Sequence, residues 1–132
     1  MLNAIKEYSV DSLKERAKEL EALYRVDEVL TGASLPEVLT EICRILPKGF
    51  CNIKACSVMI SLDGNSYSVK PLPESPADEV LSEIIVRGNL RGFIKAAYTE
   101  ECSISFLAEE RKLLDAVANK ISGRIFYEEL SA

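Results

Sequence analysis

The chain contains no histidine, and that absence removes a large share of enzyme chemistry. No Ser-His-Asp or Cys-His relay can be assembled, and no imidazole is present to bind a metal or haem. A histidine phosphoacceptor is excluded too. The four cysteines, Cys43, Cys51, Cys56 and Cys102, include no CxxC pair, so zinc-finger spacing fails as well. No hydrophobic run approaches the roughly 20 residues that span a bilayer. The opening stretch MLNAIKEYSV lacks the apolar core of a secretory signal. The expectation is a cytoplasmic chain with reduced thiols, each cysteine buried as a small apolar residue. Positive charge is also in short supply: 16 Lys and Arg stand against 21 Asp and Glu, for a net charge of −5. With the basic residues interspersed among acidic ones, nucleic acid is disfavoured as a partner.

What is present suffices for one folded domain. The 132 residues are 48% hydrophobic, enough to bury a core. Residues 1–132 read as a single domain, with 1–11 a flexible lead-in. Ser12-Leu13-Lys14-Glu15 has the form of a capping box. From there to about Leu30, Leu13, Ala17, Leu20, Leu23, Tyr24 and Val26 recur at helical spacing. The stripe is narrow before Leu20 and broader after Leu23, so the early part is expected to extend beyond the globule. Ser34-Leu35-Pro36-Glu37 is a second capping box with proline in the first turn. Val38, Leu39, Ile42, Ile45 and Leu46 then form a core-facing stripe that Pro47-Lys48-Gly49 closes.

Lys54 to Leu62 alternates as a strand does, Asp63-Gly64-Asn65 is a turn, and Ser66 to Lys70 alternates again. Three prolines between Pro71 and Pro76 exclude regular structure there. Val80–Val86 and Phe93–Tyr98 are apolar runs around Arg87-Gly88-Asn89-Leu90-Arg91, a hairpin with Gly88-Asn89 at its turn. Ser82, Glu83 and Lys95 interrupt those runs and leave one face partly covered, while Phe93, Ile94 and Ala96 are expected to anchor the core. Phe106 to about Leu130 reads as a long helix with Leu107, Leu114, Val117, Ala118, Ile121 and Ile125 as its main stripe. Gly123 weakens that helix or admits close approach of another. The predicted class is α+β: an antiparallel sheet of at least four strands with N- and C-terminal helices packed on one face.

In this order the segments resemble the GAF domain family over about Leu13 to Leu130. The carriers are the lead helix SLKERAKELEALYRVDEVL, the capped helix LPEVLTEICRIL, the strand pair around Asp63-Gly64, the hairpin IIVRGNLRGFIKAAY and the closing helix FLAEERKLLDAVANKISGRI. Phe106, Glu110, Leu113, Leu114, Ala118 and Ile121 are similar to the family's closing pattern. The PAS family has a related layout, but terminal helices on both sides favour GAF. The resemblance implies a sensory or regulatory module of a signal-transduction protein such as a sensor histidine kinase, attached to an output domain and dimerising through its terminal helices. Relatives that bind small ligands do so on the open sheet face, beneath a segment that here shrinks to about Pro71–Asp78. The Asn-Lys-Phe-Asp-Glu motif of cyclic-nucleotide-binding members is absent and so short a link walls little of a pocket, which counts against a small ligand and leaves cofactor-binding residues unassigned; no cofactor or metal is expected. The dimer-helix candidates are Leu13, Leu20, Leu23, Leu114, Ile121 and Ile125.

The enzyme alternative implied by the same resemblance is a cysteine-based methionine sulfoxide reductase, with Cys51, Cys56 and Cys102 as weak redox candidates. Glu100 and Glu101 beside Cys102 would raise a thiol pKa and work against it. The pairs Glu100-Glu101, Glu109-Glu110 and Glu128-Glu129 read as solvated faces or helix N-terminal charge rather than acid–base machinery.

Overall fold

The computed structural model describes residues 2–50, 53–99 and 105–131, with residues 2–11 as backbone only. Its helices are α1 (Leu2–Val29), α2 (Leu35–Ile45) and α3 (Ala108–Ser131), with a 3-10 turn at Leu46–Gly49. Its strands are β1 (Cys56–Leu62), β2 (Asn65–Ser68), β3 (Asp78–Val86) and β4 (Asn89–Tyr98). They form one antiparallel sheet in the order β2-β1-β4-β3. The α+β class read from the sequence is the one that forms.

The helices share one face of the sheet. α2 lies over β1 and β2, and α3 lies over β3 and β4, while α1 packs mainly on α2, the 3-10 turn and α3. Strand alternation sets the core. Val58, Ile60, Val80, Ile84, Ile94, Ala96 and Tyr98 turn inward and are buried, together with Leu39, Ile42, Leu114 and Ile121 from the helices. Burying each such aliphatic side chain contributes roughly 1.5–3 kcal/mol. Phe93 departs from the expectation: it pairs with Ser61 and Glu83 on the opposite face and is only half-buried. Successive residues of a strand point to opposite faces, so Phe93 and Ile94 cannot both serve one core.

Both hairpins turn on two residues with positive φ, Asp63-Gly64 (50° and 85°) and Arg87-Gly88 (53° and 79°). This is the turn that matches the twist of paired strands. The second turn lies one residue earlier than Gly88-Asn89, because Val86 pairs with Asn89 and leaves Arg87-Gly88 as the loop. A register shift at Ile84/Ile85 accommodates it.

α1 starts well before Ser12, so the stretch expected as a flexible lead-in is helical backbone and the Ser12–Glu15 box lies inside a helix. Residues 2–11 contain no glycine or proline to stop helix propagation. Ser34 caps α2 in position, with extended backbone, but its hydroxyl makes no capping hydrogen bond.

Two glycines in regular elements have opposite surroundings. A Cβ at Gly92 would sit 1.9 Å from the Ser61 carbonyl oxygen of the adjacent strand, whereas one at Gly123 meets nothing within 4 Å. Gly92→Ala is therefore expected to cost about 3 kcal/mol, the upper end of overpacking. Gly123→Ala is expected to gain up to about 1 kcal/mol through helix propensity. Urea unfolding of the two variants checks both signs.

Candidate functional site

The two terminal helices differ in how completely the rest of the chain uses them. α3 is fastened to the sheet along its length. Just before it begins, the Phe106 N–H donates to Asp78 Oδ2 at 2.8 Å. Glu110, 2% exposed, accepts the Leu107 N–H on Oε1 at 2.8 Å and the Tyr98 hydroxyl on Oε2 at 2.7 Å. One carboxylate thus caps the helix start and ties it to β4. The Tyr98 ring stacks on Phe106 with centroids 4.1 Å apart, and Phe50 meets Phe106 edge-on at 5.6 Å. Further along, the Ser82 hydroxyl of β3 hydrogen-bonds Asp115. Near the helix end, Arg91 forks onto Asp63 with two 2.8 Å bonds and reaches Glu129 at 3.0 Å, while Arg87 lies 5.1 Å over the Phe126 ring. The fork holds the Asp63 carboxyl below its usual range.

α1 runs alongside α3 in the same direction. Asp27 pairs with Lys120 at 2.8 Å, and Arg124 donates to the carbonyl oxygens of Leu30 and Ala33 just beyond the helix. Ala22 and Val26 are the buried residues of the covered face of α1. Gly49 of the 3-10 turn sits at the crossing, where a Cβ would come within 2.9 Å of both Ala22 and Leu113. The opposite face of α1 is bare. Leu13, Leu20 and Tyr24 are 67%, 60% and 62% exposed, and Ala17 between them is exposed as well. Their spacing of four, three and four residues is a seam of the kind two helices share.

The sequence-derived dimer candidates therefore separate into two sets. Leu13 and Leu20 lie on the bare stripe, and Leu23 is half-buried at its margin. Leu114, Ile121 and Ile125 are buried against the sheet, leaving at most 3% of their surface exposed to any second chain. Periodicity finds an apolar face but does not say whether a sheet or another molecule covers it. Among the redox candidates, Cys56 is buried, and Cys51 and Cys102 lie outside the described residues. Cys43 is also buried, its S–H 3.4 Å from the Tyr67 carbonyl oxygen, and burial pushes its thiol up to about 12. Neither described thiol is placed for nucleophilic work.

Of the glutamate pairs, Glu100-Glu101 lies outside the described residues, and Glu109 and Glu129 are exposed with Glu128 half-buried. Glu110 lies at a helix N-terminus, as one of the two readings held, but it is a buried structural carboxyl rather than part of a solvated face. The signal in the sequence was its place three residues after Leu107, as the reach-back member of a capping box. Among the described residues no group of three His, Cys, Asp or Glu is arranged to hold a metal ion. No described helix is long and apolar enough to cross a membrane.

Beside the bare stripe, a groove of about 360 Å³ runs between the helices, floored by Leu20, Leu23 and Leu113 and rimmed by Arg16, Glu19, Glu109 and Lys112. Partial burial first, and then the charge of Glu109, raise the Glu19 carboxyl above its usual range. A carboxyl raised by folding opposes the folded state while ionised, and stops opposing it as pH falls through the folded value. Glu19→Gln is expected to raise the urea midpoint at pH 7, with the gain shrinking toward pH 4; unfolding curves at both pH values measure it. A scan against models of known protein families finds none that matches this chain, and a search of curated proteins finds no similar one.

Proposed function

We propose that this chain is a GAF-like regulatory module that acts as a homodimer joined along α1. The reading rests on one observation: the main stripe of α3, Leu114, Val117, Ile121 and Ile125, is buried on the sheet with Phe126, Tyr127 and Leu130 exposed only in its last turns, while α1 keeps Leu13, Ala17, Leu20 and Tyr24 uncovered along three turns. Closing that stripe against a second copy removes leucine surface from water at roughly 1.5–3 kcal/mol per fully buried side chain. In a parallel pairing the seam brings Arg16 of one copy beside Glu21 of the other, the flanking charge match such helices use.

The work of such a module is mechanical. α3 is tied to both hairpin turns through Arg91 and Arg87, and α1 is tied to α3 through Asp27–Lys120 and Arg124. A displacement of the sheet therefore reaches the dimer seam through packed helices, and an output domain of a signalling protein such as a sensor histidine kinase would read the shift. The reading needs no cofactor, nucleic acid or membrane, and it places the chain in the cytoplasm, where its thiols stay reduced.

Light scattering after size exclusion tests it. At about 100 μM the chain is expected at twice its 14.6 kDa mass. Leu13→Glu with Leu20→Glu is expected to give a monomer that unfolds at nearly the same urea concentration in dilute solution, since both side chains are exposed within one copy. A wild-type monomer at that concentration contradicts the proposal.

A further inference from the structure

Strand β3 forms one edge of the sheet, and its free side carries the second unsatisfied surface of the fold. Thr99 donates its N–H to the Ala55 carbonyl at 3.0 Å, and Asp63 donates to the Arg91 carbonyl at 2.9 Å. The odd-numbered residues of β4 thus turn their peptide groups toward β1, and the even-numbered ones toward β3. In the register Val80–Ala96 and Ser82–Ile94, antiparallel alternation then directs the peptide groups of Glu79, Leu81 and Glu83 outward from the sheet. The Glu79 N–H is satisfied locally by Asp78 Oδ1 at 2.9 Å. The Glu79 carbonyl and both groups of Leu81 and Glu83 have no backbone partner among the described residues.

The side chains on this edge alternate acid and apolar: Glu79, Leu81, Glu83 and Ile85 all face away from the helices, with Leu81 and Ile85 50% and 48% exposed. Lys95 approaches Glu79 at 3.8 Å, and Glu83 has no ion-pair partner among the described residues. This pattern disfavours a second copy of the chain in the registers centred on Val80, Leu81 or Ser82. Two-fold pairing of β3 centred on Leu81 sets Glu79 against Glu83, and pairing centred on Val80 or Ser82 sets each glutamate against an apolar residue. Like charges directly opposite one another destabilise a pair, and an acid facing an apolar side chain gains nothing. On the helix side the edge is flanked by Arg111, 3.9 Å from Asp78, and by Asp115 on Ser82, which suits small polar side chains.

We infer that the β3 edge docks an extended segment of a partner protein whose residues alternate basic and apolar on one face, with small polar residues on the other. The partner strand completes the hydrogen bonds of Leu81 and Glu83, sets Lys or Arg opposite Glu79 and Glu83, and covers Leu81 and Ile85. This surface is separate from the α1 stripe, so the two readings stand or fall independently.

The probe is the blocked octapeptide Lys-Thr-Val-Thr-Lys-Thr-Val-Thr, added to the full chain and followed by residue-resolved amide exchange and chemical shifts. Saturable binding is expected, with the Leu81 and Glu83 amides slowed about tenfold or more. Glu79→Lys with Glu83→Lys, both exposed sites checked for folding by circular dichroism, is expected to lose about tenfold in affinity and to gain affinity for the matched peptide carrying Glu in place of Lys. No saturable binding at millimolar peptide overturns the inference. So does equal binding of the acidic peptide, or edge protection in the peptide-free protein that vanishes on dilution, which would place a second copy there.

Discussion

The buried bond between Tyr98 and Glu110 fixes the relation between sheet and helices from which the other contacts follow. Glu110 accepts from a strand hydroxyl and from the first backbone amide before α3, so the helix can start at only one height on the sheet. Stacked Tyr98 and Phe106, with Phe50 against their edge, close the same corner with apolar surface. From that start, Leu114, Val117, Ile121 and Ile125 fall onto β3 and β4 in turn, and the far end arrives where Arg91 and Arg87 meet it. The arginine contacts are exposed and screened, so they hold position more than they stabilise. The buried corner and the aliphatic stripe carry the energy.

Because the sheet covers the main stripe of α3 and leaves only Phe126, Tyr127 and Leu130 exposed in its last turns, the two surfaces argued above lie on other elements and differ in kind. The α1 stripe is aliphatic and helical, suited to a second helix of the same kind. The β3 edge offers peptide groups between two glutamates that have no backbone partner among the described residues, and its charge works against a copy of itself. Ser57 marks the inward end of the outer sheet face: it is 1% exposed, and its hydroxyl is the one buried side-chain oxygen without a hydrogen-bond partner among the described residues. Its neighbour Ala97 is equally covered. The 69–77 link passes from the β2 edge to the β3 edge at that end of the sheet.

Much of this was legible in the residues. The Asp63-Gly64 turn and the proline-rich link appear where local rules put them, the strand read from Lys54 begins at Cys56, and the α3 stripe forms without Leu107, which precedes the helix and is 41% exposed. The departures share a cause, which is that local pattern does not name the partner. Gly88-Asn89 and Arg87-Gly88 are both plausible turns, and strand register chose between them. Phe93 looked like core until pairing assigned it the outer face. Leu114, Ile121 and Ile125 carried a real apolar face, but the sheet covers it. The place of Glu110 at a helix N-terminus was legible, but its burial was not, because its partner Tyr98 is twelve residues away on another element.

Amide hydrogen exchange along α1, measured at two protein concentrations, tests the central claim most directly. If the bare stripe is the seam of a dimer, amides from Ser12 to Glu21 exchange slowly at high concentration and speed up on dilution, while those of Leu114 to Ile125 in α3 do not change. Protection along α1 that is independent of concentration contradicts the account.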